Sequence, residues 1–339
     1  MDSLVEDTET LFTDVFSHLA AVESQPGSVL LDEDLLKRAE RNLAASTPRD
    51  LLWRLLRTGE TLLQTIQQEP RPLTRLLEQT VHFIPFDELK ATISPEKLEQ
   101  GLASPSTSVQ LLCLAYLRKA ADSPSGASFV AASSSLVQCL FTLWLSSENT
   151  EVAERSLEVI EALLTVDSQN TLTVEASGDS LGETAGQGLL WRRVFHDPEV
   201  YEIFFVWTSL VKSKRDTKTK KGTQLVTISQ ARLFDFITRL APFNWQAMTT
   251  STIPIVETEY LRRNAENQPY GGILLYAASH MIDSNDILMK VLRQDFFLKL
   301  LASAEEGNSR NISPRLLEAI QQGAGVGSAK DVEDDGMHL

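Results

Sequence analysis

Apolar positions in residues 98–164 recur with a helical period. At about 100° per residue, Val152, Ala153, Ser156, Leu157, Val159, Ile160, Leu163 and Leu164 fill one side of a helix. Glu151, Glu154, Glu158 and Glu161 gather on the other. Val109, Leu111, Leu112, Leu114, Ala115, Tyr116, Leu117 and Ala120 surround an earlier helix almost completely. A helix that is apolar all round must be covered on several sides. The two stretches also superpose, with Val109 on Val152, Leu114 on Leu157 and Leu117 on Ile160, an offset of 43 residues. A third copy is expected to open at Asp197-Pro198-Glu199-Val200, a step of 48 residues that includes a longer loop.

That offset lies inside the ~40–47 residues of two-helix HEAT or armadillo units. It predicts an all-α chain, an α-solenoid in which each repeat is buried by its neighbours. Six dipeptides repeat one start signal: Thr47-Pro48, Ser94-Pro95, Ser104-Pro105, Ser123-Pro124, Asp197-Pro198 and Ser313-Pro314. In each, a side-chain oxygen is placed to accept from an unpaired N–H, and Pro sits where its missing N–H costs nothing. Helices are expected over 1–24, 32–45, 48–68 and 73–83, and later over 228–240, 256–266, 271–282, 287–302 and 314–321. The solenoid is therefore expected to span 1–322. The polar, Gly-rich run 167–188 reads as an extended loop; only Thr171 to Val174 within it alternates as a strand would. Residues 323–339 lack an apolar face and read as a disordered acidic tail.

Charge narrows the partners. A net charge of −15 disfavours nucleic acid and anionic membranes, which need a basic footprint. Where the acidity reports a partner, that partner is basic. The exception is Lys212 to Thr223, KSKRDTKTKKGT, which reads as a solvated loop between helices, as a nuclear localisation signal or as a contact with something acidic. No apolar run approaches the ~20 residues of a membrane span, and the acidic N-terminus lacks a signal peptide's basic start. Cys113 and Cys139 sit in apolar helical patterns and read as reduced thiols in a cytoplasmic or nuclear protein.

Catalytic motifs are not found. None of His18, His82, His196, His280 and His338 is spaced with another His or Cys as metal ligands are. G-x-S-x-G, H-E-x-x-H and Walker A sequences do not occur. Gly323-Ala324-Gly325-Val326-Gly327 has the letters of a phosphate loop, but without a preceding strand or a following helix it reads as a linker. No catalytic residue, cofactor or metal is expected. Two aromatic clusters, Trp191/Phe195/Tyr201/Phe204/Phe205/Trp207 and Phe234/Phe236/Phe243/Trp245, either pack neighbouring helices or anchor a bound peptide. Helical geometry nominates Glu151, Glu154, Glu158 and Glu161, with Glu199 and Glu202 in the third copy, as partner-binding residues. The alternative is a solvated face. The second helices of such repeats commonly line the concave binding surface.

The passage Ile93-Ser94-Pro95-Glu96-Lys97-Leu98-Glu99-Gln100-Gly101-Leu102, followed by Ser104-Pro105 and Ser108-Val109-Gln110-Leu111-Leu112, carries a resemblance. It resembles early repeats of the 26S proteasome non-ATPase regulatory subunit five family, which includes fungal base-assembly chaperones. Residues 272–301, with Asp295-Phe296-Phe297-Leu298, are similar to that family's closing repeats. The resemblance implies a HEAT/armadillo horseshoe that binds the C-terminal domain of a proteasomal ATPase subunit. Such a chaperone escorts the ATPase module into the regulatory-particle base and delays docking on the core particle. It would be a monomer when free, with no nucleic acid or membrane among its partners. A different HEAT-type adaptor, for example in nuclear transport or scaffolding, is the other reading.

Overall fold

The structure, a computed structural model, describes residues 8–168, 186–261, 269–283, 285–306 and 312–326. Among these it is all-α, with eighteen helices and no strand. The contacts divide the chain into two compact units, residues 1–167 with 182–190, and 168–181 with 191–339.

The first unit begins with α1 (Thr8–Ser24), α2 (Glu33–Asn42), α3 (Arg49–Leu63), α4 (Arg71–His82) and the single turn α5 (Phe86–Leu89). It continues with α6 (Pro95–Leu102), α7 (Thr107–Ala120), α8 (Pro124–Ala132), α9 (Ser134–Ser146) and α10 (Thr150–Val166). The helices form two layers. One is the row α2, α4, α7, α10, each packed on the next; the other holds α1, α3, α6 and α9, which pair with them in that order. α7 starts at Thr107 and α10 at Thr150, and the two pack on each other within the same row. As expected of an apolar girdle, α7 is packed by α4, α6, α8 and α10. Of that girdle, Val109, Leu111 and Ala115 stay half-exposed.

Four of the six start signals act as predicted. The side chains of Ser94, Ser123, Asp197 and Ser313 accept N–H bonds from Lys97, Gly126, Glu199 and Leu316. The other two are corrections. Thr47 Oγ1 accepts from Ala44 N in its own loop, leaving Pro48 as an N-cap with no side-chain bond. Ser104 Oγ accepts from Ser106 N, which closes a turn and delays α7 to Thr107.

Gly101 explains a glycine in mid-α6. A Cβ there would collide with the Cys113 sulfur on α7, so the absent side chain sets how closely the two helices approach. Gly101→Ala is expected to destabilise by about 1–3 kcal/mol, despite alanine's better helix propensity of about 1 kcal/mol. A lower urea midpoint, restored by adding Cys113→Ala, checks this.

The second unit contains α11 (Leu189–His196), whose first two residues belong to the first unit, α12 (Pro198–Thr208), α13 (Lys220–Leu240) and α14 (Trp245–Thr249). It ends with α15 (Pro254–Tyr260), α16 (Gly272–Ser279), α17 (Ile287–Glu306) and α18 (Pro314–Ala324). α13 is its axis and packs on α12, α16 and α17. The aromatic clusters are this unit's core. Phe195, Tyr201, Phe204, Phe205 and Phe236 are at most 1% exposed, with Phe205 and Tyr276 centroids 4.6 Å apart and Phe234 and Phe296 4.5 Å apart. Tyr201 Oη donates to Glu257 (3.0 Å), and Gln230 Nε2 donates to the carbonyls of Thr208 and Met281.

Two sequence expectations are corrected here. The basic segment is a chain of tight turns closed by Ser209, Ser213 and Asp216. Its last residues, Lys220 to Thr223, are already the first turn of α13, eight residues earlier than the expected start at Ile228. Thr219 caps that turn, and Gly222 lets it press on the carbonyl of Asp216. Residues 323–326, read as the start of a disordered tail, end a helix instead. Gly323 lies where a Cβ would meet the Phe297 ring at 2.6 Å. Gly325 takes φ 75°, with Val326 N bonded to Gln321 O and Gly325 N to Gln322 O, a Schellman closure. The expectations for residues 1–7, the strand-like stretch 171–174, most of the polar loop, 262–266 and 327–339 lie outside the described residues.

Candidate functional site

The polar sides of α2, α4, α7 and α10 enclose a groove of about 730 Å³ in the first unit. α4, α7 and α10 each contribute residues at i, i+3 or i+4, and i+7, the spacing that keeps side chains on one face. α4 gives Arg75, Glu78, Gln79 and His82, with Val81 beside them, because Leu73, Leu76 and Leu77 turn its opposite side into the core. α7 gives Leu111, Leu114, Ala115 and Arg118, with Lys119 and Asp122 at its end. α10 gives Glu151, Arg155, Glu158 and Val159, and α2 gives Glu40. A shallower extension between α2 and α4 adds Glu33, Lys37, Glu69 and Arg71.

The acidic stripe nominated from sequence divides at this groove. Glu151 and Glu158 line it. Glu154 is exposed and Glu161 half-exposed, and neither is part of its lining. Glu199 and Glu202 are on α12 in the second unit, where Glu199 is exposed and Glu202 accepts from Tyr260 Oη at 3.0 Å.

The groove is mixed in charge. Five carboxylates (Glu40, Glu78, Asp122, Glu151, Glu158) face four cations (Arg75, Arg118, Lys119, Arg155). Most are already paired: Arg155 with Glu158 at 3.5 Å, Lys119 with Asp122 at 2.7 Å, and Arg71 with Glu151 at 3.8 Å across the mouth. These are exposed pairs, each worth about 0.2–1 kcal/mol. They hold side chains in place more than they hold the fold.

Glu78 is different. It is half-buried in the groove and no hydrogen bond or ion pair reaches it among the described residues. Burial pushes its carboxyl up to about 7, with Arg155 and Arg75 opposing and Glu151 and Glu40 reinforcing the shift. Sequence reasoning passed over it. The available signal was the ladder Arg75, Glu78, Gln79, His82, which repeats the spacing of Glu151, Arg155 and Glu158.

The other reactive groups are accounted for by packing. Cys113 is buried and its thiol is pushed up to about 12, first by that burial and then by Glu60. Burial and Glu99 likewise raise the partly exposed Cys139. His18 Nε2 accepts from Asp32 N at 2.9 Å. Among the described residues no cluster of His, Cys, Asp or Glu could hold a metal ion, and no single helix is long and apolar enough to cross a membrane.

No protein-family model matches this chain, and no curated protein sequence matches it.

Proposed function

We propose that this chain is a non-enzymatic assembly chaperone for the base of the 26S proteasome regulatory particle. In this reading it holds the C-terminal domain of one ATPase subunit in the groove of its first unit. The carrying observation is that groove, a preformed concavity of about 730 Å³ built by consecutive helices of one layer. The sequence resemblance carried by residues 93–112 and 272–301 supplies the client. The mechanism needs no chemistry, only a surface complementary to one state of the client and release when a competing surface arrives.

Affinity purification of the tagged chain from its own cells, read by mass spectrometry, tests this. Free ATPase base subunits without core-particle subunits are the expected result. A coherent complex of other proteins would replace the chaperone reading with that of a HEAT-type adaptor.

The groove assignment has its own check. Glu151→Lys with Glu158→Lys is expected to weaken binding of the captured client about tenfold or more at low salt. Glu154→Lys, off the groove, should change it little. Melting temperatures should stay close to the parent's, because exposed charges contribute little to stability. Equal effects from both variants would exclude the groove as the client face.

A further inference from the structure

We propose that the groove seats a basic side chain, arginine or lysine, delivered by the partner, and that Glu78 is the residue that receives it. This rests on reading the groove as the binding surface, and it names the chemistry the surface selects.

Pairing within the groove is uneven. The groove's mouth is lined with exposed ion pairs, Arg155–Glu158, Arg118–Asp122 and Arg71–Glu151. An incoming anion would have to displace a carboxylate already attached to each of those cations, and the groove's remaining arginine, Arg75, already acts on the Glu78 charge. An incoming cation meets a carboxylate with no hydrogen bond or ion pair among the described residues. Its surroundings are mixed but insufficient. Arg75 on its own helix and Arg155 on α10 attract its charge, while Glu151 on α10 and Glu40 on α2 repel it. Gln79 and His82 on α4 line the same space, as do Arg118, Lys119 and Asp122 on α7 and Glu158 on α10. Loss of water outweighs both arginines, so the proton stays on Glu78 up to near-neutral pH. A ligand cation within reach supplies the missing counter-charge and displaces that proton. Binding is thus accompanied by proton release into solvent and strengthens as pH rises through neutrality. The chain's net charge of −15 favours the approach of a basic segment from solution.

The test uses a single-site probe rather than a client. The full chain carries ¹³C at its glutamate side-chain carboxyls, with the Glu78 signal assigned by its loss in Glu78→Gln. Its titration is followed with N-acetyl-arginine amide and with the neutral isostere N-acetyl-citrulline amide, each at saturating concentration. The arginine compound is expected to lower the Glu78 midpoint by about one pH unit, a tenfold change in proton affinity. The citrulline compound should leave it unchanged. An unmoved midpoint, equal shifts by both probes, or an equal shift of exposed Glu154 would each overturn the proposal. Capture of ATPase subunits is measured separately, so a negative result here with capture intact sinks the Glu78 seat and leaves the chaperone reading standing.

Discussion

Phe204→Ala is expected to lower the stability of the chain by about 3–5 kcal/mol, the range for emptying a buried phenylalanine site. The ring is completely buried and sits against three others, with centroids 5.2 Å from Phe236, 6.0 Å from Tyr201 and 6.1 Å from Phe195. Those neighbours come from α13, α12 and α11, so the ring joins three helices. They are also held by other bonds: Tyr201 is tied to Glu257 at 3.0 Å, and the Phe195 carbonyl accepts from Thr252 Oγ1 at 2.7 Å. A framework so fixed collapses poorly into a void, which places the cost toward the upper end of the range. Phe204→Leu keeps most of the volume and should cost about 1–1.5 kcal/mol. Ile255→Ala, at a side chain 75% exposed, should stay within about 0.5 kcal/mol. Urea midpoints of the three variants check the order. A loss below 1 kcal/mol for Phe204→Ala would mean the ring is not at the junction of those helices.

The fold and the site were unequally legible in the sequence. Features encoded within one or two helical turns were readable. That 107–120 and 150–166 are helices followed from apolar spacing alone, and Ser94, Ser123, Asp197 and Ser313 cap helices as their dipeptides predicted. Thr47 and Ser104 failed because a side-chain oxygen has more than one N–H within reach, and a loop turn took it first. Gly101 was visible as a letter, but its reason, the Cys113 sulfur of the next helix, is tertiary. The acidic stripe on α10 was correctly placed on one side of its helix. Its division into groove-lining Glu151 and Glu158 and outlying Glu154 and Glu161 depends on where α4 and α7 lie. Glu78 was missed for the same reason. Four helices bury it, and only one of them carries it in sequence.

Glu78→Gln is expected to stabilise the chain by an amount that grows as pH rises from about 4.5 and is complete above about 7. Below about pH 4.5 the carboxyl is protonated in both folded and unfolded chains, and the substitution changes little. Between 4.5 and about 7 the unfolded chain releases its proton while the folded chain retains it. The parent therefore loses stability as pH rises through this window. Above about 7 both states are ionised and the loss is complete. The separation of the two midpoints corresponds to about 3 kcal/mol, and residual solvation of a half-buried group reduces this to about 1–2 kcal/mol. Glutamine has the same shape and never ionises. The stability difference between variant and parent should therefore grow from near zero at pH 4 to about 1–2 kcal/mol at pH 8, read from urea midpoints at fixed ionic strength. A constant difference across pH would locate the effect in packing rather than charge. A basic ligand that engages Glu78 would close the same gap from the other side, stabilising the parent at pH 8 and leaving Glu78→Gln unmoved.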